Sequence, residues 1–350
     1  MMNRRSFLSG LALMASTPRV LATSGIPAMG LSQASCRARS RSGNHSKSYP
    51  RFRDAIDFLE YGNDLGASAV QVGVRGWSME FAGKVRKRKE ILGVGLEGQI
   101  KLPDGRKDLK QFEAEVRAAK EAGARILRTV CLGGRRYETF KTLEEWLEFR
   151  RWAVRTVQLV EPIMKRHGLK LAVENHKDWR IDEMLWLLGH LSSEWVGVNL
   201  DTGNNIALLE DPHEVVEALA PFVKSVHLKD MGVQECDEGF LLAEVPLGRG
   251  FLNLPRMISI VQKANPRAVF HLEMISRDPL TVPCLSPRYW ASSPGVEARR
   301  LAATLATVRR HQEWRNLPKV SSMSDAEALA FEDQNIRQSF DYSRTHLGFF

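Results

Sequence analysis

The chain has 350 residues, 43% of them hydrophobic, which is enough to bury the core of one large α/β domain and calls for no second one. Its formal charge of +9 resembles that of a polyanion binder. All of that excess lies in the first 53 residues, with nine basic side chains and no acid; the remainder holds 41 basic and 41 acidic residues, so no nucleic-acid partner is expected.

Residues 1–30 begin Asn3-Arg4-Arg5-Ser6-Phe7-Leu8, continue through a short apolar stretch to Ala15 and reach small residues around Val20-Leu21-Ala22. That order describes an export signal, and the paired arginines resemble those read by the twin-arginine export machinery. The apolar run is too short to be a stable membrane anchor. The expected location is periplasmic or secreted, or cytoplasmic if the segment is an ordinary basic leader. Changing Arg4 and Arg5 to lysine should retain the protein in the cytoplasm on cell fractionation, and unchanged export would remove the twin-arginine reading. The four cysteines, Cys36, Cys131, Cys236 and Cys284, show no C-x-x-C spacing, so neither a zinc ribbon nor a disulfide framework is indicated.

Residues 54–65 carry apolar side chains at helical spacing (Ile56, Leu59, Leu65), and Ala-Val-Gln-Val-Gly-Val at 69–74 reads as a buried strand. Strands are then expected at 91–96, 126–132, 169–174, 196–201, 223–228 and 268–273. Helices are expected between them at 109–122, 143–166, 181–191, 212–219 and 254–264. An eighth strand belongs upstream, where 36–42 is the stretch placed to supply it. Repeated βα units imply a parallel sheet covered by helices, and their number favours closure into a (β/α)8 TIM barrel over residues 36–312. No G-x-G-x-x-G follows the first strand, which argues against a dinucleotide cofactor. An amphipathic helix follows Pro294 as far as Val308. Residues 313–350 form a C-terminal helical extension that packs on the barrel or serves a homo-oligomer.

Four apolar runs end in metal-type side chains: Glu174 in Leu-Ala-Val-Glu-Asn-His, Asp201 in Val-Gly-Val-Asn-Leu-Asp, His227 in Ser-Val-His-Leu-Lys-Asp and Glu273 in Val-Phe-His-Leu-Glu-Met. On parallel strands of one barrel all four converge at the carboxyl-terminal mouth, where such barrels keep their active sites. Three carboxylates and one imidazole suit a single divalent ion, Mn²⁺ first, with Mg²⁺, Co²⁺ or Zn²⁺ as alternatives.

These strand ends, together with Val-Glu-Asn-His at 173–176, Leu-Asp-Thr-Gly-Asn at 200–204, His-Leu-Lys-Asp at 227–230 and Pro-Leu-Gly-Arg-Gly at 246–250, resemble the xylose isomerase-like sugar phosphate isomerase/epimerase superfamily over roughly residues 54–283. The resemblance implies that Glu174, Asp201, His227 and Glu273 are metal ligands, and that Glu174 and Glu273 also flank the substrate as a catalytic acid/base pair. A metal-held hydroxy-ketone has a polarised carbonyl and passes through a stabilised enediolate, and two carboxylates can take and return its proton. The implied activity is an isomerase or epimerase of a small keto-sugar or sugar acid. A metal-dependent lyase, either a dehydratase or a 3-oxo acid decarboxylase, is the alternative because it shares the enediolate.

Ketohexose 3-epimerases of the superfamily carry a histidine three residues after the Asp ligand and an arginine six after the His ligand. Here those positions are Asn204 and Val233, which counts against a free ketohexose. Candidate substrate contacts are His176, Asn204, Lys229, Arg135 and Arg249. For His176 the alternative is fixing a loop, for Lys177 and Lys229 a solvated rim, and for Arg135 and Arg136 a surface loop. Glu97 and Arg75, at earlier strand ends, either face the mouth or pair within the barrel. Two further readings remain: a secreted, non-catalytic sugar-binding protein, and an endonuclease IV-type nuclease, which would need more histidines and a basic groove.

Overall fold

A computed structural model describes residues 28–312 and 316–349. The Asn3–Leu8 phrase and most of the expected leader lie outside the described residues. In chain order the strands are β1 (Ala28–Ser32), β2 (Ala69–Gly73), β3 (Gly95–Gln99), β4 (Ile126–Thr129), β5 (Lys170–Glu174), β6 (Val196–Asp201), β7 (Val223–Leu228), β8 (Asp230–Cys236), β9 (Gly239–Val245), β10 (Val269–Leu272) and β11 (Leu280–Val282). The helices are α1 (Ala55–Asp64), α2 (Met79–Leu92), α3 (Leu109–Glu121), α4 (Arg136–Thr139), α5 (Leu143–His167), α6 (Ile181–Leu191), α7 (Pro212–Leu219), α8 (Leu254–Ala264), α9 (Pro287–Trp290), α10 (Ala298–His311) and α11 (Asp325–His346). Strands β1 to β7 and β10 close into an all-parallel eight-stranded barrel, the expected (β/α)8 fold. Among the described residues no helix is long and apolar enough to cross a membrane.

Alternation along each strand sends one set of side chains to the helices and the other to the barrel axis. In β5, Leu171 and Val173 pack outward in the core, while Ala172 and Glu174 face the axis and Glu174 arrives at the mouth. Register aligns the strand ends: Asp201 pairs with His227, and His227 with His271 two residues before Glu273.

The first strand is Ala28–Ser32 rather than the expected 36–42. Gln33–Cys36 is a turn of 3-10 helix capped by Ser32, whose Oγ accepts from the Ala34 N–H at 3.4 Å. Within residues 36–42 the Arg39 guanidinium lies over the Phe52 and Tyr61 rings at 4.4 and 4.5 Å. The strand expected at 91–96 is also shifted, to Gly95–Gln99. Its first two expected residues end helix α2, which stops at Gly93 in the left-handed region (φ 67°), with Ile91 64% exposed.

Two additions interrupt the βα rhythm. After β7 the chain makes the antiparallel hairpin β8–β9, and β11 pairs with β9 to give a small second sheet at the mouth. Helix α9 reaches the mouth from the other side, where Tyr289 Oη donates to the Ala207 carbonyl at 2.8 Å. The C-terminal helix α11 is present as expected and serves as an outer helix beside α1. Its Glu332 accepts from the Arg39 N–H at 2.9 Å, its Asp333 accepts from Tyr61 Oη at 2.9 Å, and its Ser339 Oγ accepts from the Leu247 N–H at 3.2 Å.

Candidate metal centre

Glu174, Asp201 and Glu273 each offer one carboxylate oxygen, and His227 one ring nitrogen, all within 4.8 Å of one another, and all four residues are buried. His227 Nδ1 lies 3.3 Å from Glu174 Oε2, 3.2 Å from Glu273 Oε1 and 3.9 Å from Asp201 Oδ2. It makes no hydrogen bond among the described residues. The other ring nitrogen, Nε2, sits 2.8 Å from Gln71 Oε1, an acceptor only, so Nε2 carries the proton and Nδ1 presents a lone pair to the carboxylates. A buried lone pair facing three acidic oxygens lacks a positive partner, and a divalent cation fits that need and that donor set. With a proton in that role instead, burial opposes the charge, but Glu273 and Glu174 outweigh it and push the imidazole up to about 9.

The backbone holds these donors in place. Asp201 Oδ1 accepts from the N–H groups of Gly203 and Asn204, both at 2.9 Å, which turns Oδ2 toward the centre. Asn175 locks the strand end, accepting from the Asp201 N–H at 2.8 Å and donating to its carbonyl at 2.9 Å. Asp230 collects the N–H groups of Met231, Gly248, Gly250 and Leu252 at 2.9 to 3.1 Å, which anchors the 246–250 turn. A side chain at Gly250 would collide with that carboxylate.

Four cations surround the centre. Arg128 grips Glu174 Oε2 through Nε at 2.6 Å and also through Nη2. Burial would raise the Glu174 carboxyl, but Arg128 and His227 hold it well below the usual carboxylate range. Lys229 Nζ sits 2.9 Å from Asp201 Oδ2 and 2.7 Å from Glu273 Oε2. Burial again works against charge at Glu273, and His227 with Lys229 overcomes it and pulls the carboxyl well down. Asp201 is shifted up instead, by burial first, with Lys229 offsetting only part of it. Glu244 of β9 completes the group: its carboxylate takes Arg277 Nη2 at 2.6 Å, with Lys229 Nζ at 3.7 Å and Lys177 Nζ at 4.0 Å. Burial, then the neighbouring Lys229, pushes Lys177 down to about 8.

The remaining candidates separate. Asn204 lies in the centre, donating to Glu174 Oε1 at 3.2 Å and accepting from Lys177. Lys177 and Lys229 are buried beside the quartet, not on a solvated rim. His176 is half-buried, with Nδ1 3.2 Å from the Gly134 carbonyl. Arg135 pairs with Glu138 at 2.7 Å on the loop. Arg136 is a packing residue, bound to Glu183 at 2.6 Å and stacked 3.9 Å over Trp146. Arg249 lines a cavity of about 140 Å³ shared with Glu244, Arg277 and Asn335. Arg75 is exposed, and Glu97 pairs inside the barrel with Ser225 at 2.6 Å. Arg128, Gln71, Glu244 and Arg277 do not stand out in the sequence. The first two are polar residues within apolar strands, which is a readable signal, whereas Glu244 lies on a hairpin that the βα pattern conceals.

The family model described as "xylose isomerase-like TIM barrel" matches residues 80–298. The 3-oxo-isoapionate decarboxylase of Pectobacterium atrosepticum is 32% identical over 103 residues, which make up 29% of this chain and 38% of that protein. The match therefore spans well under two thirds of the relative. Among solved structures, a D-psicose 3-epimerase crystallised in the presence of D-fructose is similar with a TM-score of 0.60 and 14% identity, over 92% of this chain and 99% of that one. A xylose isomerase-like TIM barrel protein from Mycobacterium smegmatis in complex with magnesium is similar with a TM-score of 0.55 and 18% identity, over 80% and 98%. At such identities the likeness is one of fold.

Proposed function

The chain belongs to the xylose isomerase-like TIM barrel family, and from that premise we propose that it is a divalent-metal-dependent lyase that decarboxylates a small 3-oxo sugar acid. The charge around the quartet carries this reading. Glu174, Asp201, Glu273 and Glu244 are matched by Arg128, Lys177, Lys229 and Arg277, so a bound dication leaves two positive charges in excess. In a buried site that excess favours an anion, here a substrate carboxylate and the enolate that follows it. The match to a 3-oxo acid decarboxylase, partial as it is, supports the same choice.

Glu174, Asp201, His227 and Glu273 would hold the ion. When bound, it polarises a carbonyl and stabilises negative charge on its oxygen. The protein's own groups supply the rest. Glu174 is ion-paired with Arg128 and Glu273 with Lys229, which makes both weak bases for removing a proton from carbon. Decarboxylation needs no such base: the bond to the carboxylate breaks, CO2 leaves, the electron pair enters the enolate, and an ammonium returns one proton to carbon. Lys229 would give that proton once the ion has taken over its carboxylate partners. Until then Asp201 and Glu273, against burial, hold its ammonium well above the usual lysine range, and Lys177, pushed down to about 8 by burial and Lys229, is the stronger acid behind it. Asn204 joins Lys177 to Glu174 and ties the two sides of the site together.

A second reading, isomerase or epimerase, is favoured by the placement of Glu174 and Glu273 at nearly equal distances, 3.3 and 3.2 Å, from His227 Nδ1, as a pair of proton carriers would be. Mn²⁺-loaded protein incubated with a panel of oxidised sugar acids and keto-sugars in D₂O separates the two. Release of CO2 with deuterium at a single product carbon is expected. An isomer that keeps every carbon, with deuterium incorporated and no CO2, would overturn the lyase reading in favour of the second. Export to the periplasm remains part of the proposal and rests on the Asn3–Leu8 phrase alone.

A further inference from the structure

We infer that Gln71, oriented by Glu97, is the positioning residue that commits His227 to bind its cation through Nδ1. The inference rests on the reading of the quartet as a metal centre. An imidazole has two nitrogens that can each carry the proton, and only the one without it can ligate. At His227 the choice is made one strand layer below the mouth. Gln71 is fully buried on β2 and turns its Oε1 to His227 Nε2 at 2.8 Å.

The direction of that amide is itself determined. Gln71 Nε2 lies 3.3 Å from Glu97 Oε2, and Ser225 Oγ donates to the same oxygen at 2.6 Å. Gln99 Nε2 donates to Gln71 Oε1 at 3.1 Å, taking its second lone pair. With the amide reversed, its NH₂ would face both His227 Nε2 and the Gln99 NH₂, its oxygen would face the Glu97 carboxylate, and the imidazole proton would move to Nδ1, where it points at three carboxylates. Each contact would then set two like groups against each other out of water, so the observed orientation is strongly preferred. The consequence reaches the centre: a His227 with its proton on Nδ1 offers a cation no lone pair.

Titration of the full-length protein with Mn²⁺ by calorimetry tests this. Gln71→Leu removes the acceptor and is expected to weaken Mn²⁺ binding about 10- to 100-fold, the usual cost of losing such a partner. Gln71→Glu keeps an acceptor oxygen and should stay within a few-fold of wild type. Glu97→Leu, which frees the amide to reverse, should fall between them. A merely structural role predicts the opposite pattern, with lower melting temperatures but unchanged affinity in the folded protein and no rescue by glutamate.

A readout independent of variants is ¹⁵N-histidine NMR of the Zn²⁺-loaded wild type, where Nδ1 of His227 should be metal-bound and Nε2 protonated. Wild-type affinity in Gln71→Leu, or zinc on Nε2, overturns the inference alone. A wild-type protein that binds neither ion overturns the metal centre and this inference with it.

Discussion

Asp201→Ala is expected to lose its stoichiometric metal ion on gel filtration and to retain almost no turnover at micromolar Mn²⁺. The carboxylate is fixed by two backbone N–H bonds at 2.9 Å, and the acids beside it, Glu174 and Glu273, already belong to the same quartet. Its removal also leaves Lys229 with Glu273 as its closest anion, at 2.7 Å, and that ammonium then competes more directly for an oxygen the ion needs. Loss of a charged ligand should exceed the roughly 10- to 100-fold cost of losing a residue that only supports one. Asp201→Asn is the companion variant. An amide oxygen still fits the two N–H donors but carries no charge, so the defect should lie in affinity and be partly rescued by excess Mn²⁺. Elemental analysis together with rates across a metal titration decides the matter, and wild-type metal content in Asp201→Ala would remove Asp201 from the centre.

How much of this fold is legible in the amino-acid order follows from how parallel strands are built. Strands buried on both sides are short apolar runs, and β6 and β7 are legible to the residue because Val-Gly-Val-Asn-Leu-Asp and Val-Lys-Ser-Val-His-Leu stand out between polar helices. The same runs end in Asp201 and next to His227, so the quartet is legible with them. The β3 strand lies away from its expected place because its inward positions, Glu97 and Gln99, are polar members of the Gln71 network and break the apolar signal. The β1 strand is hidden because Ala-Met-Gly-Leu-Ser begins inside residues 1–30, the segment that reads as a leader. Among the cations around the quartet, Lys177 and Lys229 are legible just past their strand ends, whereas Arg128 and Arg277 are the least legible. Arg128 takes its meaning from neighbours on other strands, and Glu244 and Arg277 come together only through the β8–β9–β11 sheet, which no βα repeat announces.

Replacing Lys229 by methionine is expected to move two quantities in opposite directions, tightening metal binding while slowing turnover. The ammonium lies 2.9 Å from Asp201 and 2.7 Å from Glu273, in the space where a dication's field would be felt. Like unit charges about 4 Å apart at an effective dielectric constant of 20 repel by about 4 kcal/mol, so its removal should improve Mn²⁺ affinity by at least about tenfold. Without the ion, Asp201 and Glu273 lose a buried partner, a change that typically costs about 3–5 kcal/mol. Metal-free Lys229→Met should therefore melt well below the metal-free wild type and recover when Mn²⁺ is added, because the ion binds only the folded state.

Turnover should fall by about 10²- to 10⁴-fold, the usual contribution of a positioned proton donor, even with the metal site saturated. Glu273→Gln, which keeps an oxygen donor but loses its charge, should cost less than Lys229→Met if CO2 loss is the reaction. If proton abstraction from carbon is the reaction, the ranking inverts, because the glutamate is then the base and its amide cannot replace it. Rates of CO2 release and of solvent deuterium exchange in the two saturated variants thus rank lysine against glutamate directly, and a near wild-type rate in Lys229→Met would pass the proton to Lys177.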